Sequence, residues 1–452
     1  MALLVLIINL DWASMKSIYD LLLEWHQIDP NFIFLRDKKS YTLNEVVHEV
    51  ESISKSLSYI PSEIVAIYLS CKLDFILVYL ACINSNKIPM ILKTTWGKEE
   101  VNSIIDNNDI KHIICSWDNK YTFGNNLNKY FLEELVNSSR GCGIPQYINN
   151  KNNYESIIFT SGSTGEPKGV CLKRSNFKAS AKSWNEQIKF NVKDEYALCL
   201  PLHHISGLSI LYRSIYHKFS ITLLDSYNQI VNRKNSIISL VPTVLESIID
   251  NEKFHKHLKN FKAIILGGEV CKKNLLMKCI KLELNIFISY GMTETCSGIS
   301  GFWLKKHPEK FDSVGTPFTD VNISFDKDKR ITIESPMNMY NYFIKPRKND
   351  YFKTSDLGEI KDDFLYLKGR IDTIIKYKGE KINLEFIENI LMKHDLIISV
   401  KVFIDTNENH DDIIVSKVLA KDKTLNVENL KEWCKIKIGK YKTPKKIIIS
   451  YM

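Results

Sequence analysis

The segment Thr160–Gly169, TSGSTGEPKG, carries the densest chemical signal in the 452-residue sequence. It follows an apolar run, Tyr154–Phe159, of strand length. Phosphate oxygens need several donors at close range, and glycines let backbone N–H groups approach with no Cβ in the way. Gly162 and Gly165 supply that access, Thr160, Ser161, Ser163 and Thr164 supply hydroxyls, and Lys168 supplies a cation. No GxxxxGK[ST] register fits, so this is not a Walker loop. Taken alone, the string is also compatible with an exposed turn of small residues. Its length makes it far more specific than a lone GxGxxG.

Four further segments follow in order: Ser289–Thr295 (SYGMTET), Tyr351–Gly358 (YFKTSDLG), Leu367–Glu388 (LKGRIDTIIKYKGEKINLEFIE) and Tyr441–Lys445 (YKTPK). Together with the phosphate-loop string they resemble the ordered signatures of the adenylate-forming superfamily. That superfamily comprises acyl- and aryl-CoA ligases, luciferases and peptide-synthetase adenylation domains. The resemblance spans about residues 15–446. It implies ATP, Mg²⁺ and CoA as the small molecules handled. By resemblance, Tyr290 stacks on adenine within Tyr290-Gly291-Met292, Thr293 meets the α-phosphate, and Glu294 holds Mg²⁺ together with Thr164. A carboxylate sharing a hard cation with phosphate is ordinary coordination chemistry. Gly267-Gly268-Glu269 is expected to run along the adenine. Asp356 would take the ribose hydroxyls, which suits an acceptor-only carboxylate, with Arg370 assisting. Asp372 falls at the expected interdomain hinge, and Lys378-Gly379-Glu380 would line the path of the CoA thiol. Outside this frame Asp356 reads equally well as a turn residue, and Gly267-Gly268 as an isolated turn.

The acid substrate is addressed by Leu200–Arg213, LPLHHISGLSILYR. Amino-acid-activating relatives place an aspartate here, whereas this chain has His203 and His204. The segment resembles the PLFHxSG stretch of o-succinylbenzoate–CoA ligases of menaquinone biosynthesis. It implies a pocket of His204, Ser206, Gly207 and Arg213, with His204 beside Thr164 and Glu294 in the catalytic set. Arg213 would pair with the second carboxylate of a diacid, where a planar guanidinium fits well. Other acyl- or aryl-CoA ligases, a carrier-protein-loading enzyme and a nucleotide-binding pseudoenzyme are the competing readings.

One position departs from the pattern. The family carries a lysine in a PxxxxGK context beyond the YKxP segment, and only Ile447–Met452 follow Lys446. The expectation drawn from this is a slow or incomplete adenylation half-reaction with thiol transfer retained. A shortened chain or a substitute lysine are the alternatives.

The elements that must position these residues read as α/β. Ile18–Gln27 has helical apolar spacing, and Thr42 with Glu45 forms a capping box before Val46–Leu57. Ile64–Leu69 and Ile110–Cys115 are strand-length apolar runs around a helix-like stretch near Leu73–Ser85, a β–α–β rhythm that predicts parallel sheet. From Ser313 to Tyr342 short strands and turns predict a small antiparallel barrel. The expected fold is a large N-terminal domain of two stacked αβ sheets plus that barrel, residues 1–368, followed by a small α+β mobile domain, residues 369–452. The polar run Asn149–Asn153 reads as a linker or exposed loop.

Composition narrows the classes. Net charge is +9, with 61 Lys+Arg against 52 Asp+Glu. The lysines are scattered rather than set in a basic stripe, which excludes a nucleic-acid reading while suiting anionic small molecules. Ten cysteines include no CxxC pair, so zinc has no support, and dispersed thiols suit a reducing compartment. Ala2–Leu10 is apolar but too short to span a bilayer. A cytoplasmic protein without stable membrane anchoring is therefore expected, and homo-oligomerisation is left open.

Overall fold

The structure is a computed structural model that describes residues 16–119, 123–124, 127–137, 154–160, 167–232, 236–344, 347, 349–371, 374–377, 380–406 and 412–451. Local sequence signals set the first elements. Helix Ile18–Ile28 starts at a capping box between Ser17 and Asp20 and buries Ile18, Tyr19, Leu22 and Trp25. Helix Leu43–Leu57 starts at the expected box: the Glu45 N–H donates to Thr42 Oγ1 at 3.2 Å, and the Thr42 N–H donates to Glu45 Oε2 at 2.8 Å. Each box satisfies amide groups that the first turn leaves without partners.

Two mixed sheets form the body of the chain. The first runs in the order Thr316–Pro317, Ser297–Trp303, Ile286–Met292, Ala263–Leu266, Ile237–Leu240, Glu195–Leu198, Ser220–Leu223, Ile33–Arg36, Ser40–Thr42. The second runs Asn341–Tyr342, Lys168–Leu172, Ser156–Thr160, Ile88–Ile91, Ile64–Tyr68, His112–Cys115, Asn128–Phe131. Interior strands such as Ile88–Ile91, Ile237–Leu240 and Ala263–Leu266 bury every residue. That is why they read as continuous apolar runs rather than alternating ones. The largest core lies between the sheets. It draws on Ile67 and Ile158 from one sheet and Tyr196, Ile221 and Phe287 from the other, with helices Arg174–Ile188 and Ile205–His217 contributing Trp184 and Leu208.

Both sheets share a device. Each has a parallel interior flanked by an antiparallel hairpin. Ser156–Thr160 pairs antiparallel with Lys168–Leu172, and Ile286–Met292 with Ser297–Trp303. The two strongest sequence motifs sit at these two hairpins.

The small all-β unit is a four-stranded antiparallel sheet, Asn322–Phe325, Arg330–Glu334, Phe352–Lys361 and Phe364–Arg370. Its first two strands fall within Ser313–Tyr342 and its last two follow that span. Thr316–Pro317 and Asn341–Tyr342 are drawn off to the edges of the two large sheets instead. Strand Phe364–Arg370 runs through Gly369, where φ is +106°. Beyond it, a hairpin Ile374–Tyr377/Glu380–Asn383 precedes a three-stranded sheet, Ile397–Thr406, Asp412–Ala420 and Lys446–Tyr451. Helices Leu384–Leu391 and Val427–Lys442 close its separate core around Ile387, Val402, Val418 and Leu430. Among the described residues no helix is long and apolar enough to cross a membrane.

Candidate active site

Strand Ser156–Thr160 ends at the phosphate-loop string, and the chain returns as strand Lys168–Leu172, with Thr160 opposite Lys168. Thr160 Oγ1 donates to the Lys168 carbonyl at 3.4 Å. The loop therefore closes a hairpin, not a strand-to-helix turn. Lys168, the cation of the string, stands at the start of the returning strand. Ser161, Gly162, Ser163, Thr164 and Gly165 lie outside the described residues, as do Asp372, Lys378 and Gly379. Glu380 is described only through its strand backbone.

The second motif is built by a tight reversal. Strand Ile286–Met292 passes into the short helical turn Thr293–Thr295, Cys296 takes a left-handed backbone, and the chain returns as Ser297–Trp303. Gly291 sits at a register irregularity in this hairpin. A Cβ there would lie 2.0 Å from the Ser297 carbonyl oxygen and 2.5 Å from Gly298 Cα. Only glycine permits that approach. Thr295 Oγ1 accepts from the Met292 N–H at 3.1 Å and locks the turn.

Two polar groups converge around this turn. The first contains Tyr290, Asp356 and Arg370. The Tyr290 hydroxyl donates to Asp356 Oδ2, and Arg370 Nη1 donates to Asp356 Oδ1 at 3.0 Å. Asp356 and Arg370 face each other across antiparallel strands, a favourable position for opposite charges. Burial, then the Asp356 charge, pushes the Tyr290 phenol well above its usual range. Tyr290 therefore stays protonated and acts as a donor.

The second group contains Glu294, Tyr342 and Lys168. The Tyr342 hydroxyl donates to Glu294 Oε1 at 3.0 Å, and Lys168 Nζ lies 5.8 Å from the Tyr342 ring centre. Burial raises the Glu294 pKa, opposed by a backbone hydrogen bond and by the Tyr342 donor. Arg370 and Asp356 also act on Glu294 through their charges, so both groups share one cleft. Among the described residues Glu294 has no ion-pair partner, and no three His, Cys, Asp or Glu side chains gather as a metal cluster. A desolvated, acceptor-only carboxylate without a cation fits a hard dication whose remaining ligands are phosphate oxygens.

Gly267-Gly268-Glu269 follows strand Ala263–Leu266, and Gly268 has φ +82°. Glu269 is exposed and accepts from the N–H and hydroxyl of Thr243 at 3.2 and 3.3 Å. It thereby caps helix Pro242–Ile249, where a carboxylate is favoured by the helix dipole.

The expected acid-binding residues divide. His204 is the exposed N-cap of helix Ile205–His217, and Ser206 is exposed beside it. The His203 and His204 rings lie 4.6 Å apart. Burial holds His203 down at about 4, helped by His204, Lys93 and Lys72, so both rings are neutral near pH 7. Gly207 is a packing glycine: a Cβ would lie 2.3 Å from the Pro201 carbonyl oxygen. Arg213 comes nine residues after His204, about 13 Å along the axis and on the opposite face. It is 2% exposed. Its Nη2 donates to Ser297 Oγ at 2.8 Å, and the guanidinium carbon sits 4.1 Å from the Trp184 ring centre. Burial lowers its pKa to about 10, which leaves it charged at neutral pH. Among the described residues it has no carboxylate partner, and its Nε has no hydrogen bond. Ser297 pairs with Met292 in the motif hairpin, so this lone cation lies one side chain from the expected phosphate-contacting turn.

Sequence reading missed Tyr342, Trp184 and Ser297. Ser297 lies two residues past the second motif and was reachable by extending it. Tyr342 and Trp184 have no local pattern that marks them. A groove of about 390 Å³ lined by Lys178, Lys182, His217 and Asp320 contains none of the motif residues.

The profile of the AMP-binding enzyme family matches residues 24–331. The 2-succinylbenzoate–CoA ligase of Bacillus cytotoxicus is 26% identical, covering 96% of this chain and 95% of the relative. That of Bacillus velezensis is 28% identical, covering 94% and 92%. The fold is that of o-succinylbenzoate coenzyme A synthetase from Bacillus subtilis, solved with ATP and magnesium ion. The TM-score is 0.84 at 24% identity, with 95% of each chain covered.

Proposed function

We propose, from the premise that the chain belongs to the AMP-binding enzyme family, that it is an ATP-dependent acid–CoA ligase converting o-succinylbenzoate to o-succinylbenzoyl-CoA. The acid carboxylate attacks the α-phosphorus of ATP and pyrophosphate leaves. The CoA thiolate then attacks the acyl carbon and AMP leaves. The protein's share is positioning and charge stabilisation. Asp356, with Tyr290 and Arg370 around it, receives the ribose. Lys168 and the loop hydroxyls receive phosphate oxygens. Glu294 and Thr164 would hold magnesium, which offsets the negative charge of the phosphates. Residues 369–452 form the mobile domain, with Asp372 at the hinge and Lys378-Gly379-Glu380 along the thiol path. The free cysteines suit a reducing compartment such as the cytoplasm.

The observation that carries the choice of acid is Arg213. With no carboxylate partner among the described residues, the buried guanidinium is only just compensated in the free protein. It becomes favourable when a dianionic acid places its second carboxylate there. The test is a panel of mono- and dicarboxylic aryl acids scored by AMP formation with and without CoA. The expected result is CoA-dependent turnover that is greatest with o-succinylbenzoate. Equal turnover of benzoate would overturn the substrate assignment, and AMP release independent of CoA would overturn the acceptor.

A further inference from the structure

We propose that Tyr342 is the positioning residue for the metal-binding carboxylate, and that the strap Pro336–Phe343 ties Glu294 to the root of the phosphate loop. This rests on the reading of Glu294 as a magnesium ligand.

The strap is pinned along its length. Asn176 Nδ2 donates to the carbonyls of Pro336 and Asn338 at 2.8 and 2.9 Å. Asn338 Nδ2 donates to the Ile333 carbonyl at 2.8 Å. The Met339 N–H donates to the Glu294 carbonyl at 2.7 Å, holding the backbone of that residue. The Tyr340 N–H donates to the Cys171 carbonyl at 2.9 Å, and the Phe343 N–H to the Gly169 carbonyl at 2.7 Å. Met337 and Met339 are buried at 0% and 1%. The strap thus contacts the Glu294 turn on one side and the strand returning from the phosphate loop on the other.

Tyr342 occupies the middle of this arrangement. Its hydroxyl holds one oxygen of Glu294, leaving Oε2 and the outer lone pairs of Oε1 for a cation. A donor behind a metal-binding carboxylate selects its rotamer and keeps it ionised where water is scarce. The two large sheets are separate bodies of hydrogen bonds. They share an apolar core, and Ser180 Oγ donates to the Cys296 carbonyl at 2.8 Å, but it is the strap that joins Glu294 itself to the strand carrying Lys168. A metal ion shared by Glu294 and ATP phosphates requires the separation of Glu294 and Lys168 to be constant.

The test uses the full chain. Mn²⁺ binding is titrated by electron paramagnetic resonance in the presence of a non-cleavable ATP analogue, for wild type, Tyr342→Phe and Glu294→Gln. Tyr342→Phe keeps the ring and removes only the donor. It is expected to weaken Mn²⁺ binding by about 10-fold or more, the usual effect of losing such a partner. Metal-free AMP affinity should stay within about twofold, because among the described residues the Tyr342 hydroxyl bonds Glu294 and not Tyr290, Asp356 or Arg370. Unchanged Mn²⁺ affinity in Tyr342→Phe with a strong loss in Glu294→Gln overturns this inference alone. Unchanged affinity in both overturns the metal assignment of Glu294 itself. A parallel fall in metal-free AMP affinity reports general damage to the cleft and also overturns the positioning role.

Discussion

Replacing Arg213 by Met separates what the residue does for the fold from what it does for the substrate. In the free protein the guanidinium has three compensations: the hydrogen bond to Ser297, the Trp184 face at 4.1 Å and the neighbouring Tyr196 hydroxyl. A desolvated cation–π contact is worth about 2 kcal/mol, and a charged hydrogen bond about 1.5–3 kcal/mol. Against them stands a desolvation penalty of several kcal/mol for a fully buried ion. The terms nearly cancel, so Arg213→Met should change unfolding free energy by no more than about 1–2 kcal/mol. Had Arg213 a carboxylate partner in the protein, breaking the pair would cost about 3–5 kcal/mol. Catalysis should respond differently. Losing one partner of a buried charge pair with substrate costs about 2–5 kcal/mol, which at the lower bound is about 30-fold in kcat/KM. That loss should appear with o-succinylbenzoate and be absent with benzoate. Urea denaturation and steady-state AMP formation read the two halves. Destabilisation of about 3 kcal/mol or more, or equal losses on both acids, would rule out a substrate-carboxylate role for Arg213.

Asp356→Asn should raise the KM for ATP by about tenfold, since a charged acceptor for two ribose hydroxyls becomes neutral. Deoxy-ATP analogues should distinguish wild type from variant: wild type loses affinity for them, and the variant is indifferent. The pH dependence of stability should carry a contribution from His203. Its folded pKa of about 4 lies below the ordinary histidine value of 6.5. The unfolded state therefore takes up the proton first, and stability falls as pH drops from about 6.5 to 4. His203→Asn should flatten that slope in urea melts across the range. Gly207→Ala should destabilise by about 1–3 kcal/mol, because the added methyl meets the Pro201 backbone, which cannot step aside as a side chain would. Thermal unfolding reads that loss, and a raised KM for the acid would report displacement of the His203–His204 segment.

The order of motifs along the chain was enough to name the chemistry. Phosphate loops, metal carboxylates and ribose acceptors are short-range arrangements whose residue types cannot be exchanged freely. The capping box at Thr42 and the apolar interior strands were legible for the same reason: their causes are local. The four-stranded sheet was placed in part: two of its strands lie beyond Tyr342, and Thr316–Pro317 and Asn341–Tyr342 leave it for partners distant in sequence. Local propensity says strand but not which sheet. Glu269 was legible as a motif residue, yet its use as a cap for Pro242–Ile249 required the two segments to meet. The sequence alone marked Arg213 as a candidate for a second carboxylate. That it is a buried cation stacked on Trp184, far from His204, depended on three segments packing together. Tyr342 is the extreme case. Nothing near it in the chain signals a role, and only the tertiary fold brings its hydroxyl to Glu294, 48 residues away. Residue chemistry at short range is written in order along the chain, whereas the surroundings that tune it come from segments whose meeting is decided by packing of the whole core.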